Sequence, residues 1–403
     1  MHIWKSKKLK ELDGIEIILG QSPSSKSYNK KRNGLPFLQG KAEFGMIYPK
    51  PKIFTDAPLK IAESNDLLLS VRAPVGDINL SPYKLCIGRG LAAIRFNNDN
   101  PKFYFYWFLK NQKAIENLGV GSTFKAITGE QLKKIEIPVV ELSEQNQIAN
   151  ILSTVDEAIQ KADEAITKTE RIKQAMMQKL LSEGIGHKEF KQTKIGKLPK
   201  EWGVIRLSDA VKLKNGINFT KQEKGQEGIL VVDVLNMFGP SINLDFSNLY
   251  RVKKNIPINN DYILVKGDLL FVRSSFKKEG AGWVSLFNGF NENVTYCGFI
   301  IRARLITRDL LPEFTTYFLR STIARRLILG SAGQVAITNI SQENISSLIL
   351  PIPKRDEQIK IVSILKEFDI KIDLLKSRKL KLDRIKHGLM DDLLTGKKRV
   401  KIN

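Results

Sequence analysis

Apolar residues recur at helical spacing in two long stretches of the chain. Between Ser143 and Glu183, Ile148, Leu152, Val155, Ile159, Ala162, Ile166, Ile172, Met176 and Leu180 follow at steps of mostly four and three. That spacing keeps one face of a helix buried against a partner helix, and no proline or glycine interrupts it. Between Arg355 and Leu394 the stripe is Ile361, Leu365, Phe368, Ile372, Leu375, Leu382, Ile385, Leu389 and Leu393. The pattern predicts two long helices packed on each other. Ile148, Leu152, Val155 and Ile159 serve the first helix, and Ile361, Leu365, Phe368 and Ile372 the second.

These stripes are one pattern written twice. Adding 213 to the numbers of Ile148, Leu152, Val155 and Ile159 gives Ile361, Leu365, Phe368 and Ile372. The same offset carries Pro138 to Pro351, Glu144-Gln145 to Glu357-Gln358, Arg171-Ile172-Lys173 to Arg384-Ile385-Lys386, and Leu180-Leu181 to Leu393-Leu394. Any two amphipathic helices share a stripe, but matching polar residues at constant spacing point to duplication.

Upstream of each helix, short β-like runs recur in the same order: Asp66 to Val71 and Leu91 to Phe96 in the first half, Asp268 to Val272 and Phe299 to Ala303 in the second. Cys86-Ile87-Gly88 is expected opposite Cys297-Gly298. Each segment then has an aromatic helical stretch (Phe103 to Leu109, Phe314 to Leu319), a Gly/Ser turn (Gly119 to Thr123, Gly330 to Gly333) and a strand into proline (Ile135 to Pro138, Leu348 to Pro351). The expected fold is mixed α/β (α+β), a pseudo-twofold internal repeat. Two similar domains, 1–142 and 202–353, alternate with two long helices, 143–183 and 354–395, that form an antiparallel coiled coil. Residues 184–201 read as a linker and 396–403 as a basic tail.

Charge changes the picture. Among 403 residues, 65 Lys and Arg stand against 42 Asp and Glu, a net +23. Residues 1–142 carry a net +9 and 202–353 a net +6, whereas the two helices together carry only +1. Basic domains on a near-neutral scaffold suit a polyanion, and double-stranded DNA is the expected one. The candidate contacts are Lys26, Lys30, Lys31, Arg32, Arg72 and Arg89 in the first domain, and Lys221, Lys224, Arg273, Lys277 and Lys278 in the second. An arginine fork can bridge two acceptors on a guanine edge, and lysine neutralises phosphate. A plain solvated face is the competing reading for each lysine. No apolar run approaches the ~18–20 residues that span a bilayer, and no membrane partner is expected. Met1 to Lys5 carries no secretory signal, so a cytoplasmic protein is expected.

Catalytic signatures are missing. No G-x-x-x-x-G-K-S/T loop, Asn-Pro-Pro-aromatic run or spaced nuclease carboxylates occur. His2, His187 and His387 are isolated, and two cysteines with three histidines form no metal-ligand cluster. Cys86 and Cys297 read as small core residues. The chain itself is expected to hold no catalytic residue, metal or cofactor.

At these motifs the chain resembles a known family, the specificity (S) subunits of type I restriction–modification systems. The resemblance rests on the chain end Leu393-Leu394-Thr395-Gly396-Lys397-Lys398-Arg399-Val400 and on the link Phe190 to Trp202. It rests also on the helix starts Glu144-Gln145-x-x-Ile148 and Glu357-Gln358-x-x-Ile361. In the first domain, Ser70-Val71-Arg72-Ala73-Pro74-Val75-Gly76 followed by Cys86-Ile87-Gly88-Arg89-Gly90 resembles one subgroup of target-recognition domains. The first helix departs from the pattern at its end, Leu181-Ser182-Glu183-Gly184-Ile185-Gly186, which lacks the Thr-Gly-Lys form. The resemblance implies that each domain reads one half of a split DNA site and that the helices bind two methyltransferase (modification) subunits, joined by restriction subunits. Those partners would bring S-adenosylmethionine, ATP and Mg²⁺, with adenine N6 as methyl acceptor. Read from the residues alone, a coiled-coil adaptor whose basic domains bind protein or RNA stays open, as does an enzyme with an unfamiliar active site.

Overall fold

The computed structural model describes residues 4–119, 125–239, 241–253, 258–330 and 338–400. The Gly/Ser turns expected after Gly119 and after Gly330 lie outside these residues. The chain divides into two units: residues 1–162 with 378–403, and residues 163–377. Sequence patterning places boundaries at the helix ends. The units instead divide within the helices Leu142–Ser182 and Arg355–Leu393, because each helix end packs into the core of a different unit.

In the first unit, four antiparallel strands lie in the order Ile15–Leu19, Leu91–Phe96, Leu67–Ser70, Ile78–Leu80. A second sheet holds Leu35–Leu38 parallel to Leu85–Ile87. The helix Pro101–Lys110 starts where the Asn100 side chain accepts from the Lys102 and Phe103 amides, a cap that fits its preceding polar run. It buries Phe103, Tyr104, Phe105, Tyr106 and Phe108. The second unit repeats the plan. Val211–Asn215, Ile300–Leu305, Leu269–Val272 and Val284–Leu286 form the antiparallel sheet, and Ile229–Val232 runs parallel to Val294–Tyr296. The helix Pro312–Arg320 buries Phe314, Tyr317 and Phe318.

The repeat extends to single bonds. Asp66 starts its strand fully buried, takes a bidentate pair from Arg95 at 2.9 Å and accepts from the Glu63 amide. Asp268 does the same with Arg304 at 2.7 Å and the Val265 amide. Gly20 and Gly216 each donate to the start of a central strand, at Leu91 O and Ile300 O. A Cβ at either would stand 2.1 Å from a carbonyl oxygen, Gly88 O or Cys297 O, so only glycine fits. This register corrects the expected cysteine match. The Gly88 amide bonds Leu38 O and the Cys297 amide bonds Val232 O, so Cys297 corresponds to Gly88 and not to Cys86.

The long helices pair antiparallel within each unit. In the second unit Lys376 reaches Glu170 at 2.8 Å and Lys173 contacts Asp369, so numbers fall on one helix as they rise on the other. In the first unit Lys386 lies 2.6 Å from Asp156, while Leu152 shares a core with Met390 and Leu393. Ile148, Leu152, Ile159, Ile361, Leu365 and Ile372 are buried, and Val155 and Phe368 half-buried. Ile172 and Ile385, although within the stripes, are 44% and 51% exposed instead. A step of six separates Ile166 from Ile172, which rotates the apolar line off the seam.

Polar residues fix the seam. Asp156 and Asp369, matched by the repeat offset, are buried, and each accepts a phenol hydroxyl, from Tyr106 at 2.8 Å and Tyr317 at 2.5 Å. Their cations, Lys386 and Lys173, are matched by the same offset and lie over the same rings at 5.6 and 5.8 Å. Burial, then the adjoining carboxylate, drives both phenols far above their usual range, so they remain donors. Gln145 and Gln358 tie each helix start to its domain, accepting from the Asn100 and Leu311 amides and donating to Val140 O and Pro353 O.

The motif ends also acquire roles. Arg399 forms a bidentate pair with the fully buried Glu144 at 2.6 Å. Glu357 instead accepts from Ile185 N, Trp202 Nε1 and His187 Nε2, each at 2.9 Å. The departure after Leu181 is therefore a substitution of partners, not a loss of the contact. The expected linker is folded: Phe190–Thr193 and Gly196–Pro199 form a hairpin whose Ile195 and Leu198 join the core with Trp202.

Removing one member of a buried, paired set leaves an uncompensated charge, which costs about 3–5 kcal/mol. Asp156→Ala should lower the urea stability of the first unit by that amount, and Asp369→Ala that of the second. Replacing Tyr106, Asp156 and Lys386 together by apolar residues of similar volume should cost much less.

Candidate nucleic-acid interface

The basic residues of the first domain meet at strand ends. Lys26 lies in the turn Ser25–Ser27, and Lys30, Lys31 and Arg32 follow the short strand Tyr28–Asn29. Asn29 Oδ1 accepts from the Lys31 and Asn33 amides, which lets this polar run turn without a ladder, and Arg32 takes φ 61°. Lys30, Lys31 and Arg32 are exposed, as is Lys26. Arg72 and Arg89 come from separate loops that the sheet joins: the Val71 amide bonds Gly90 O, and the Ile127 amide bonds Val71 O, both at 2.9 Å. The Arg89 amide is held by Ser22 Oγ at 3.2 Å. Tyr28, in the middle of the Lys26–Arg32 run, packs on Phe37 at 4.8 Å, and the Phe37 strand lies beside Leu85–Ile87, which leads into Arg89, so the two share one neighbourhood.

In the second domain, Lys221, Arg273, Lys277 and Lys278 are exposed. Lys224 is more constrained, stacked over Tyr250 at 4.1 Å and Phe219 at 5.4 Å and lying 3.7 Å from Asp233. Burial alone would raise the Asp233 carboxyl. Hydrogen bonds from Tyr250, the Val234 amide and Cys297 Sγ, with Lys224 nearby, hold it below its ordinary value. Lys224 thus divides its charge between an internal carboxylate and any outside phosphate, which weakens it as a contact.

Around these loops the backbone hydrogen bonds of the two frames match, although the first domain's second sheet has an extra strand, Ile61–Ala62. The Arg273 amide bonds Phe299 O at 2.8 Å and the Ile340 amide bonds Arg273 O at 2.9 Å, so Arg273 stands where Val71 does. Arg72, bridged to Ala126, corresponds to Ser274, which pairs with Asn339. Arg89 corresponds to Gly298. The two arginines most suited to a guanine edge therefore have no cationic counterpart in the second domain. Sequence reading misses this because the domains differ in loop length; only the ladder fixes the register.

The thiols are structural. Both cysteines are free and buried. Burial pushes Cys297 up to about 12 and raises Cys86. Among the described residues no group of three or more His, Cys, Asp or Glu side chains could hold a metal, and no helix is long and apolar enough to cross a membrane.

Two copies of one α/β frame, each displaying cations near its strand ends and tied to paired long helices, define a duplicated recognition protein. A family model described as type I restriction modification DNA specificity domain matches residues 1–169 and again 199–384. The chain belongs to this family and carries its domain twice. The putative type I restriction enzyme MjaX specificity subunit of Methanocaldococcus jannaschii is 47% identical over 181 residues, 44% of this chain and 43% of that protein. The chain therefore aligns with less than half of that relative's length. The MjaVIII specificity subunit of the same organism is 24% identical over 96% of this chain and 92% of its own. A crystal structure of a type I S subunit from M. genitalium shares the fold, with a TM-score of 0.60 at 17% identity over 97% of this chain and 96% of that one.

Because both thiols are buried and protonated, the folded protein should resist iodoacetamide at neutral pH over hours and take up two equivalents once denaturant is added. Rapid labelling of one thiol without denaturant would show an accessible thiolate.

Proposed function

We propose that each recognition domain reads one half of a bipartite site in duplex DNA, with the paired helices fixing the number of base pairs left unread. The observation that carries this reading is a frame whose hydrogen bonds repeat around the strand ends while the side chains presented there differ. An identical pair of reading heads would suit a palindrome; one frame with two heads suits a split, asymmetric site. The contacts fall to Lys26, Lys30, Lys31, Arg32, Arg72 and Arg89 in one domain and to Lys221, Lys224, Arg273, Lys277 and Lys278 in the other, with Lys224 the weakest.

Two modification subunits dock on the helices, and restriction subunits join them. Ile172 and Ile385, matched across the repeat and exposed on the helices, supply apolar surface for the docking. The partners bring S-adenosylmethionine, ATP and Mg²⁺ and place the methyl group on adenine N6, while this chain holds no cofactor. The complex works in the cytoplasm. The charge distribution suits the adaptor reading equally well; the match to a family described as a DNA specificity domain is what favours duplex DNA over it.

Sequencing of methylated adenines from cells expressing the chain with its modification subunits tests the proposal. One split motif is expected. Adding one helical turn before Thr167 lengthens that helix by about 5.4 Å, so the unread spacer should grow by one or two base pairs at ~3.4 Å each; an unchanged spacer would count against a helical ruler. Arg72→Ala should relax or abolish reading of one half-site only, at a cost of about 1–3 kcal/mol. Equal loss at both halves would indicate damage to the fold.

A further inference from the structure

The strand ends that carry Arg72 and Arg89 in the first domain carry apolar surface in the second. Ser274 and Gly298 stand at the arginine positions, and Phe276 and Phe299 follow closely behind them. Phe276 is 87% exposed, Leu235 84% and Phe299 61%. Val232 is the match of Leu38, and Leu235 follows it at the distance at which Lys41, paired with Asp77, follows Leu38. Phe276, Leu235 and Phe299 line a cavity of ≈ 940 Å³ together with Trp283 and Phe238, with Asp233, Lys277 and Glu279 as its charged lining. Large side chains held in water at this level contribute little to folding, and a cluster of them marks a binding surface.

The surroundings select the occupant. Arg273, Lys277 and Lys278 are exposed on the flanking loop, which gives the patch a cationic border suited to a polyanion. The patch also continues the surface that the repeat register assigns to base reading. Within the major groove, only thymine presents an apolar group, its 5-methyl. We propose that the second domain recognises a thymine of its half-site, on either strand, by packing of the 5-methyl group against Phe276, Leu235 and Phe299. This rests on the DNA-reading function proposed above.

The test uses the full chain with its modification subunits and duplexes carrying the mapped site, with each thymine replaced singly by deoxyuridine, which lacks only the methyl. The half-site left intact by Arg72→Ala belongs to the second domain. At one or more thymines there, deoxyuridine should weaken binding about fourfold, the worth of one buried methyl. Phe276→Ala, an exposed substitution that leaves the core untouched, should bind the thymine and deoxyuridine duplexes equally at that position. Equal binding of both duplexes by the unaltered protein at every thymine of that half, on both strands, overturns the inference while specific binding of the whole site persists. Failure to prefer the mapped site over random duplex would instead remove the DNA-reading proposal itself.

Discussion

A buried carboxylate shared by two helices and a domain is the constraint on which this architecture turns. Asp156 is held by Tyr106 and Lys386, and Asp369 by Tyr317 and Lys173. Each set joins a recognition domain, through its tyrosine, to both long helices at once. An apolar seam alone tolerates sliding by a turn, because isoleucine and leucine accept many neighbours. A buried acid does not, since a slip would leave it without its cation. Apolar burial supplies most of the packing energy, and the two acids choose the register.

The same division of labour separates frame from reading head. Asp66 with Arg95, and Asp268 with Arg304, brace the sheets identically. The glycines at 20 and 216 admit the same close approach in each domain. Beyond these braces, the side chains at the strand ends are free to differ, since none is needed by the core. Arg72 and Phe276 both project from loops that the ladder has already closed. Such a scaffold can exchange its specificity without a cost in folding.

Much of this was legible in the sequence because helices write their packing in one dimension. The stripe and the constant offset located both helices almost to their last residue and paired Lys173 with Lys386. Asp156 and Asp369 obey the same offset, but an acid inside an apolar stripe reads as an exposed face until a tyrosine of the preceding domain is placed beside it. The domains were harder. Their matching strands lie at offsets from 194 to 213, so insertions in loops blur the alignment and put Cys297 opposite the wrong residue. Ile172 and Ile385 misled for different reasons: the step of six before Ile172 breaks the apolar spacing, whereas Ile385 keeps the spacing and is exposed all the same. The Lys-rich stretch before Trp202 concealed a hairpin, because the few residues that anchor it, Ile195 and Leu198, are outnumbered by solvated lysines.

The discontinuity of the first unit bears on how the chain is made. The second unit is one continuous run, residues 163–377, and has every strand and both of its helix segments once residue 377 leaves the ribosome. The first unit starts ahead of it, with residues 1–162, yet stays incomplete until residues 378–403 have also been made. Until then Glu144 has no Arg399, Asp156 has no Lys386, and the apolar face of the nascent helix around Leu152 awaits Met390 and Leu393. The amino-terminal domain, born first, is thus the last to be sealed, and until then the apolar face of its helix stays uncovered.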